Sequence, residues 1–212
     1  VLSDFFMEEK LFNISESQLE KNISILKTVI RQSNKIDAKI VELPFVDSSS
    51  LKSKENQMEV ISNLEKILTE IDEFDIILTL ETDLPPREFK EFILNFNHPR
   101  IKANYDVGNS TSLGYDMNEE LLILGELIKN IHIKDRKLHD KTVSLGSGDV
   151  DFNLFFNLLK KINYSEELII QGARESNIKC EETAKRYLSF VKESVDKYLS
   201  NGVNGWNGVK NE

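Results

Sequence analysis

Residues 75–107 read DIILTLETDLPPREFKEFILNFNHPRIKANYDV, and this stretch decides the fold. Asp75–Glu81 and Ile101–Val107 are short apolar runs rich in β-branched residues, as buried strands are. Pro86–Phe96 fills the gap between them with a helix. Two strands separated by one helix form a parallel β/α unit.

The same alternation extends in both directions. Lys39–Val46 (KIVELPFV), Ile128–Lys134 (IKNIHIK) and Leu168–Ala173 (LIIQGA) read as further strands, and Leu2–Met7 as the end of another. Ser15–Gln32 carries Leu19, Ile23, Leu26 and Ile30 at steps of three and four, and Ser15 with Gln18 resembles a capping box. Gln57–Ile71, Asn118–Leu127, Phe152–Lys161 and Glu181–Leu199 supply the other helices. Asn118 suits an N-cap, with Glu119 and Glu120 in the first turn where the helix dipole favours acids. A doubly wound sheet and a closed barrel both satisfy this order, but no Gly-rich phosphate fingerprint follows the first strands, which disfavours a dinucleotide fold. The stretch 200–212, rich in Asn and Gly around Trp206, reads as a flexible tail beyond a single domain at 1–199.

Composition narrows the function. The chain has 212 residues, 40% hydrophobic and 30% charged, with a formal net charge of −9. That charge opposes binding to a nucleic-acid backbone, and no apolar run approaches the ~20 residues of a membrane span. The single cysteine, Cys180, rules out an intrachain disulfide or thiolate metal cluster and fits a reducing cytoplasm. Because the chain begins at Val1, the lack of a signal peptide says little about export.

The polar residues gather at the carboxyl ends of the strands. Side chains alternate across a strand, so Glu81 shares a face with Ile77 and Thr79, Asp106 with Asn104, His132 with Lys134, and Gln171 with Ile169. Glu81, Asp106, His132 and Gln171 then point inward at the end where parallel barrels place their chemistry. Burying two carboxylates together costs several kcal/mol without a cation, and a divalent metal removes that cost. Two carboxylates, an imidazole and an amide oxygen suit Mn²⁺, Mg²⁺ or Co²⁺ better than a thiolate-selective ion, with Zn²⁺ still open.

Four motifs in order, Leu80-Glu81-Thr82-Asp83, Tyr105-Asp106-Val107-Gly108-Asn109, His132-Ile133-Lys134-Asp135-Arg136 and Leu145-Gly146-Ser147-Gly148-Asp149-Val150-Asp151-Phe152, resemble the xylose-isomerase-like sugar-phosphate isomerase/epimerase family. Leu43-Pro44-Phe45-Val46-Asp47 resembles the strand before them. The resemblance covers the chain to about residue 195 and implies an α/β fold, a (β/α)8 TIM barrel lacking its first two β/α units. Such a chain has two open sheet edges, so marginal stability is expected. The resemblance further implies Glu81 as metal ligand and catalytic acid/base, and Asp106 and His132 as metal ligands.

At the last strand, related epimerases carry a second glutamate where this chain has Gln171, which can coordinate through oxygen but cannot take a proton. The implied chemistry is proton abstraction beside a carbonyl through an enediolate, on a sugar or sugar phosphate. Gln171 tilts this toward aldose–ketose isomerisation with one base, or toward epimerisation with a second base elsewhere, at Glu42 or Glu175. For Glu42 the plainer reading is a buried, hydrogen-bonded structural carboxylate. Lys134, Arg136 and Arg174 are candidates to bind substrate, and Asp135 pairs with a nearby Lys or Arg or orients a ligand from behind. Gly146-Ser147-Gly148 could offer N–H groups to an anion, although a tight turn is the simpler reading. A keto-sugar or inositol-type dehydratase and a sugar-binding barrel without turnover are the alternatives, whereas a related repair endonuclease would need more histidines. Partners are therefore a small sugar or sugar phosphate, with room for a homo-oligomer and none for nucleic acid or membrane.

Overall fold

The structure, a computed structural model, describes residues 1–176 and 178–199, so the expected tail at 200–212 lies outside the described residues. The chain divides into two compact units, Val1–Asn104 and Tyr105 onward.

In the first unit, α1 (Phe5–Glu8) and α2 (Glu16–Lys35) precede strand β1 (Ile40–Phe45). Then come α3 (Lys54–Leu64), α4 (Leu68–Glu73), β2 (Ile77–Thr82), α5 (Pro86–Asn95) and β3 (Ile101–Asp106), whose last two residues enter the second unit. The strands β1, β2 and β3 pair in parallel, with Glu42 in register with Thr79 and Pro44 with Glu81. Ser15 caps α2 by accepting a hydrogen bond from the Gln18 N–H, as the sequence indicated. The Gln18 side chain, however, donates to Glu9 and Asn22 rather than closing the box. Ile23, Leu26 and Ile30 form the buried stripe of α2, which packs on β1 and α4. Phe45 of β1 meets Phe92 of α5 edge to face at 6.3 Å.

Two expectations are corrected here. Leu2–Met7 is not a strand. Leu2 makes a single parallel bridge to Glu42, and the chain then turns into α1 from Phe5. The apolar content of 2–7 matches a strand, but the Phe6 N–H donates to the Ser3 carbonyl and starts a helical turn. Nor is Gln57–Ile71 one helix. It begins at Lys54, capped by Ser53, and a tighter turn at Glu65–Ile67 separates α3 from α4.

The second unit continues from the end of β3 with α6 (Val107–Leu113), α7 (Met117–Leu124), β4 (Ile128–Ile133), β5 (Asp135–Arg136), β6 (Thr142–Val143), α8 (Phe152–Lys161), β7 (Glu167–Ile170) and α9 (Cys180–Tyr198). β4 and β7 are parallel neighbours, with His132 in register with Ile169. The Gln171 N–H donates to the Ile133 carbonyl, extending that ladder by one residue. β5 and β6 form a small antiparallel hairpin that the sequence did not announce, since its turn uses His139 at a positive φ rather than a glycine. The N-cap of α7 is Asp116, not Asn118, because the Asp116 carboxylate accepts the N–H groups of Asn118 and Glu119. α8 and α9 pack through Phe152 on Phe190 at 5.0 Å, with Phe155 and Phe156 fully buried. Among the described residues no helix is long and apolar enough to cross a membrane.

Truncating Phe155 to Ala removes a fully buried ring from the α8 core. The expected cost is about 3–5 kcal/mol, read as a lower urea midpoint in equilibrium unfolding.

Candidate functional site

In the first unit the face shared by Glu42, Thr79 and Glu81 is polar and buried. Asn104 joins it from β3. Its amide nitrogen donates to Glu42 at 3.1 Å and to Glu81 at 3.0 Å, so one side-chain NH₂ serves two carboxylates. Glu42 and Glu81 place ligand oxygens within 4.8 Å of each other. Two carboxylates this close and this dry are a hard-oxygen donor pair that a divalent cation would neutralise. The Thr79 hydroxyl is buried on the same face and accepts or donates no hydrogen bond among the described residues.

In the second unit Asp106 is both the last residue of β3 and the N-cap of α6. Its Oδ1 accepts the Asn109 N–H at 2.8 Å. Its Oδ2 faces the Lys134 ammonium at 2.8 Å and the His132 Nδ1 at 3.8 Å. Burial pushes the Asp106 carboxyl up, but His132, Lys134 and the Asn109 N–H together outweigh it and hold the group below the usual carboxylate range. Asp106, His132 and Lys134 are thus brought together. Gln171 follows β7, and its Oε1 is buried without a hydrogen-bond partner among the described residues. An uncharged oxygen left without a donor fits coordination to a cation.

The cationic candidates separate. Lys134 is engaged with Asp106, and also reaches Asn109 at 3.4 Å. Arg136 donates from Nε and one terminal nitrogen to the Asp140 carbonyl and from the other to Asn109 at 2.9 Å. Arg174 is exposed and has no ion pair or hydrogen bond among the described residues.

Three other readings change. Among the described residues Asp135 pairs with no Lys or Arg. Its carboxylate accepts the N–H groups of Gly146 at 2.9 Å, Gly148 at 2.8 Å and Val150 at 3.3 Å. The Gly-Ser-Gly loop therefore does bind an anion with its backbone, and the anion is the chain's own. A Cβ at Gly148 would overlap that carboxylate, so only glycine lets the loop close on it. Glu175 is not placed as a base either. It accepts from the Ser144 hydroxyl at 2.6 Å and the Tyr187 hydroxyl at 2.9 Å, and pairs with Arg186. The Ser144 hydrogen bond, helped by Tyr187 and Arg186 against desolvation, lowers its carboxyl pKa. Glu175 thus ties the segment after β7 to the hairpin and to α9, where Gly172 leaves room for the Tyr187 ring. The third concerns Glu120, read as a first-turn acid favoured by the helix dipole. It is buried.

The profile of the xylose isomerase-like TIM barrel matches residues 10–193. The chain belongs to that family. A Haemophilus influenzae protein, SgbU, whose assignment as an L-ribulose-5-phosphate 3-epimerase is provisional, is 33% identical over 96 residues. That match covers 42% of this chain and spans about a third (34%) of the relative's own length. Among solved structures, the IOLI protein with a bound zinc atom superposes with a TM-score of 0.77 at 18% identity, over 90% of this chain and 74% of that one. A xylose isomerase domain protein from Planctomyces limnophilus gives 0.74 at 18% identity, over 86% and 68%. An L-ribulose 3-epimerase gives 0.71 at 16% identity, over 91% and 75%. At these identities the structural likeness establishes the TIM-barrel-type fold of parallel strands and covering helices.

Replacing Asp135 by Asn keeps the shape but turns an NH₂ toward at least one of three backbone N–H donors. The expected cost is about 1–3 kcal/mol, with exchange protection lost first at Gly146, Gly148 and Val150 in hydrogen-exchange NMR.

Proposed function

We propose that this chain carries the site of a metal-dependent isomerase or epimerase acting on a sugar or sugar phosphate. The observation that carries the reading is the buried pair Glu42 and Glu81 sharing the Asn104 amide. The likeness to proteins named as sugar epimerases supports the substrate class.

In this reading Glu81, Asp106, His132 and the amide oxygen of Gln171 would hold a divalent cation, Mn²⁺, Mg²⁺ or Co²⁺ by the oxygen-rich donor set. Bound there, it would supply Lewis acidity to a ketose carbonyl. Glu81 takes the proton from the carbon beside the carbonyl and returns it. Lys134 compensates the Asp106 charge at 2.8 Å. Arg174, exposed and unengaged among the described residues, meets a substrate phosphate, whereas the Arg136 guanidinium is already spent on Asp140 and Asn109. Gln171 has no proton to exchange. One base at Glu81 serves an isomerisation between adjacent carbons, and inversion at one carbon draws on Glu42, tied to Glu81 through Asn104.

Solvent-deuterium exchange into a panel of ketoses and ketose phosphates, followed by NMR, tests this. Wild type with Mn²⁺ is expected to exchange one carbon-bound proton, chelation to stop the exchange, and E81Q to slow it by roughly 10²–10⁴-fold. Exchange undiminished in E81Q, or none with any member of the panel, would sink the proposal.

A further inference from the structure

Glu120 has no part in the chemistry just proposed, yet its placement is the least expected in the second unit. It lies in the first turn of α7, beside an exposed Glu119, and is itself only 5% exposed. A single carboxylate oxygen, Oε2, accepts two hydroxyls. One comes from Tyr105 of β3, at 3.0 Å, and the other from Ser110 of α6, in a very short contact. The Tyr105 hydroxyl also lies 3.4 Å from that of Ser110, closing the triangle. Among the described residues no lysine or arginine pairs with Glu120. Hydroxyl donors alone answer a carboxylate in the core.

These two hydroxyls flank Asp106. Tyr105 is its neighbour in β3 and points to the opposite face, and Ser110 stands one helical turn beyond it in α6. We propose that Glu120 is a positioning residue for Asp106. By gathering Tyr105 and Ser110 on one oxygen it clamps the first turn of α6 to the end of β3, and so fixes the carboxylate that the Asn109 N–H, Lys134 and His132 address. The consequence for a bound cation rests on the reading of Asp106 as a ligand, whereas the clamp itself does not.

The clamp is sensitive to pH. Burial pushes the Glu120 carboxyl up to about 7, against the two hydroxyls that lower it and with Asp116 and Glu119, at the start of its own helix, that raise it. The titratable groups around it are therefore Tyr105 from β3, whose hydroxyl donates to the carboxylate and favours its charge, and those two acids, which disfavour it. With a folded pKa above the ordinary 4.5, the neutral form is preferred in the fold. The stability it contributes is full below pH 4.5 and is lost as pH rises toward about 7.

The test compares wild type with E120Q, which can still present a carbonyl oxygen to both hydroxyls, and with E120L and S110A, which cannot complete the clamp. The first readout is amide-exchange protection at Asn109, whose N–H is held by Asp106, against Leu159 in α8 as reference. E120L and S110A are expected to lower protection at Asn109 by about tenfold more than at Leu159, the size of one lost hydrogen bond, while E120Q keeps it. Wild-type melting temperature, taken relative to E120Q, is expected to fall between pH 4.5 and about 7 and to stay level above. S110A is the milder change and decides the matter if E120L does not fold. Protection at Asn109 that is unchanged, or that falls by the same factor as at Leu159, overturns the clamp. Mn²⁺ titration separates the two ideas: a wild type that binds no Mn²⁺ overturns Asp106 as a ligand, and the exchange data still decide the role of Glu120.

Discussion

A carboxylate withdrawn from water has to be met by donors or a cation at short range, or its burial costs several kcal/mol. Among the described residues five are buried: Glu42, Glu81, Asp106, Glu120 and Asp135. They are answered in four ways. One amide serves Glu42 and Glu81, an ammonium and a helix N–H serve Asp106, two hydroxyls serve Glu120, and three loop N–H groups serve Asp135. The donors differ in charge, and so do the consequences. The Asp106 carboxyl is held below its ordinary range by His132, Lys134 and the Asn109 N–H, while burial, only partly offset by two neutral hydroxyls, raises that of Glu120. Within one unit, the environment moves the pKa values of two acids in opposite directions.

Much of this was legible in the sequence, for reasons that also explain the omissions. The strands β1, β2, β3, β4 and β7 were readable because a parallel sheet covered by helices is apolar on nearly every residue. Glu81, Asp106 and His132 stood out because they interrupt such runs at their carboxyl ends. The exception at Leu2–Met7 comes from the same cue, since a short apolar run is compatible with a buried helical turn as well as a strand. Glu120 was invisible for a different reason. An acid in the first turn of a helix is what the dipole favours on a surface, and nothing local records that Tyr105 and Ser110 arrive to bury it. The partners of Asp135 were similarly out of reach, because they are backbone groups 11 to 15 residues away. The sequence marks them only through Gly146 and Gly148.

β3 connects these observations. Its alternation sends Asn104 and Asp106 to one face and Tyr105 to the other. Asn104 is held by two carboxylates, Tyr105 by Glu120, and Asp106 by the first turn of α6 as well as by Lys134. Three consecutive side chains are therefore each fixed by a charged or strongly polar partner from a different element. The strand end has little freedom to shift without breaking at least one buried hydrogen bond, each of which costs about 1–3 kcal/mol when its partner is left unsatisfied. That rigidity is what a site needs if its carboxylates are to stay within a few tenths of an ångström of one geometry. It also means that a residue on the outward face, remote from any substrate, can be felt at the inward one. Gln171 gains its meaning in this setting. Its amide presents an oxygen without adding another charge, in a protein whose described residues already include five buried carboxylates.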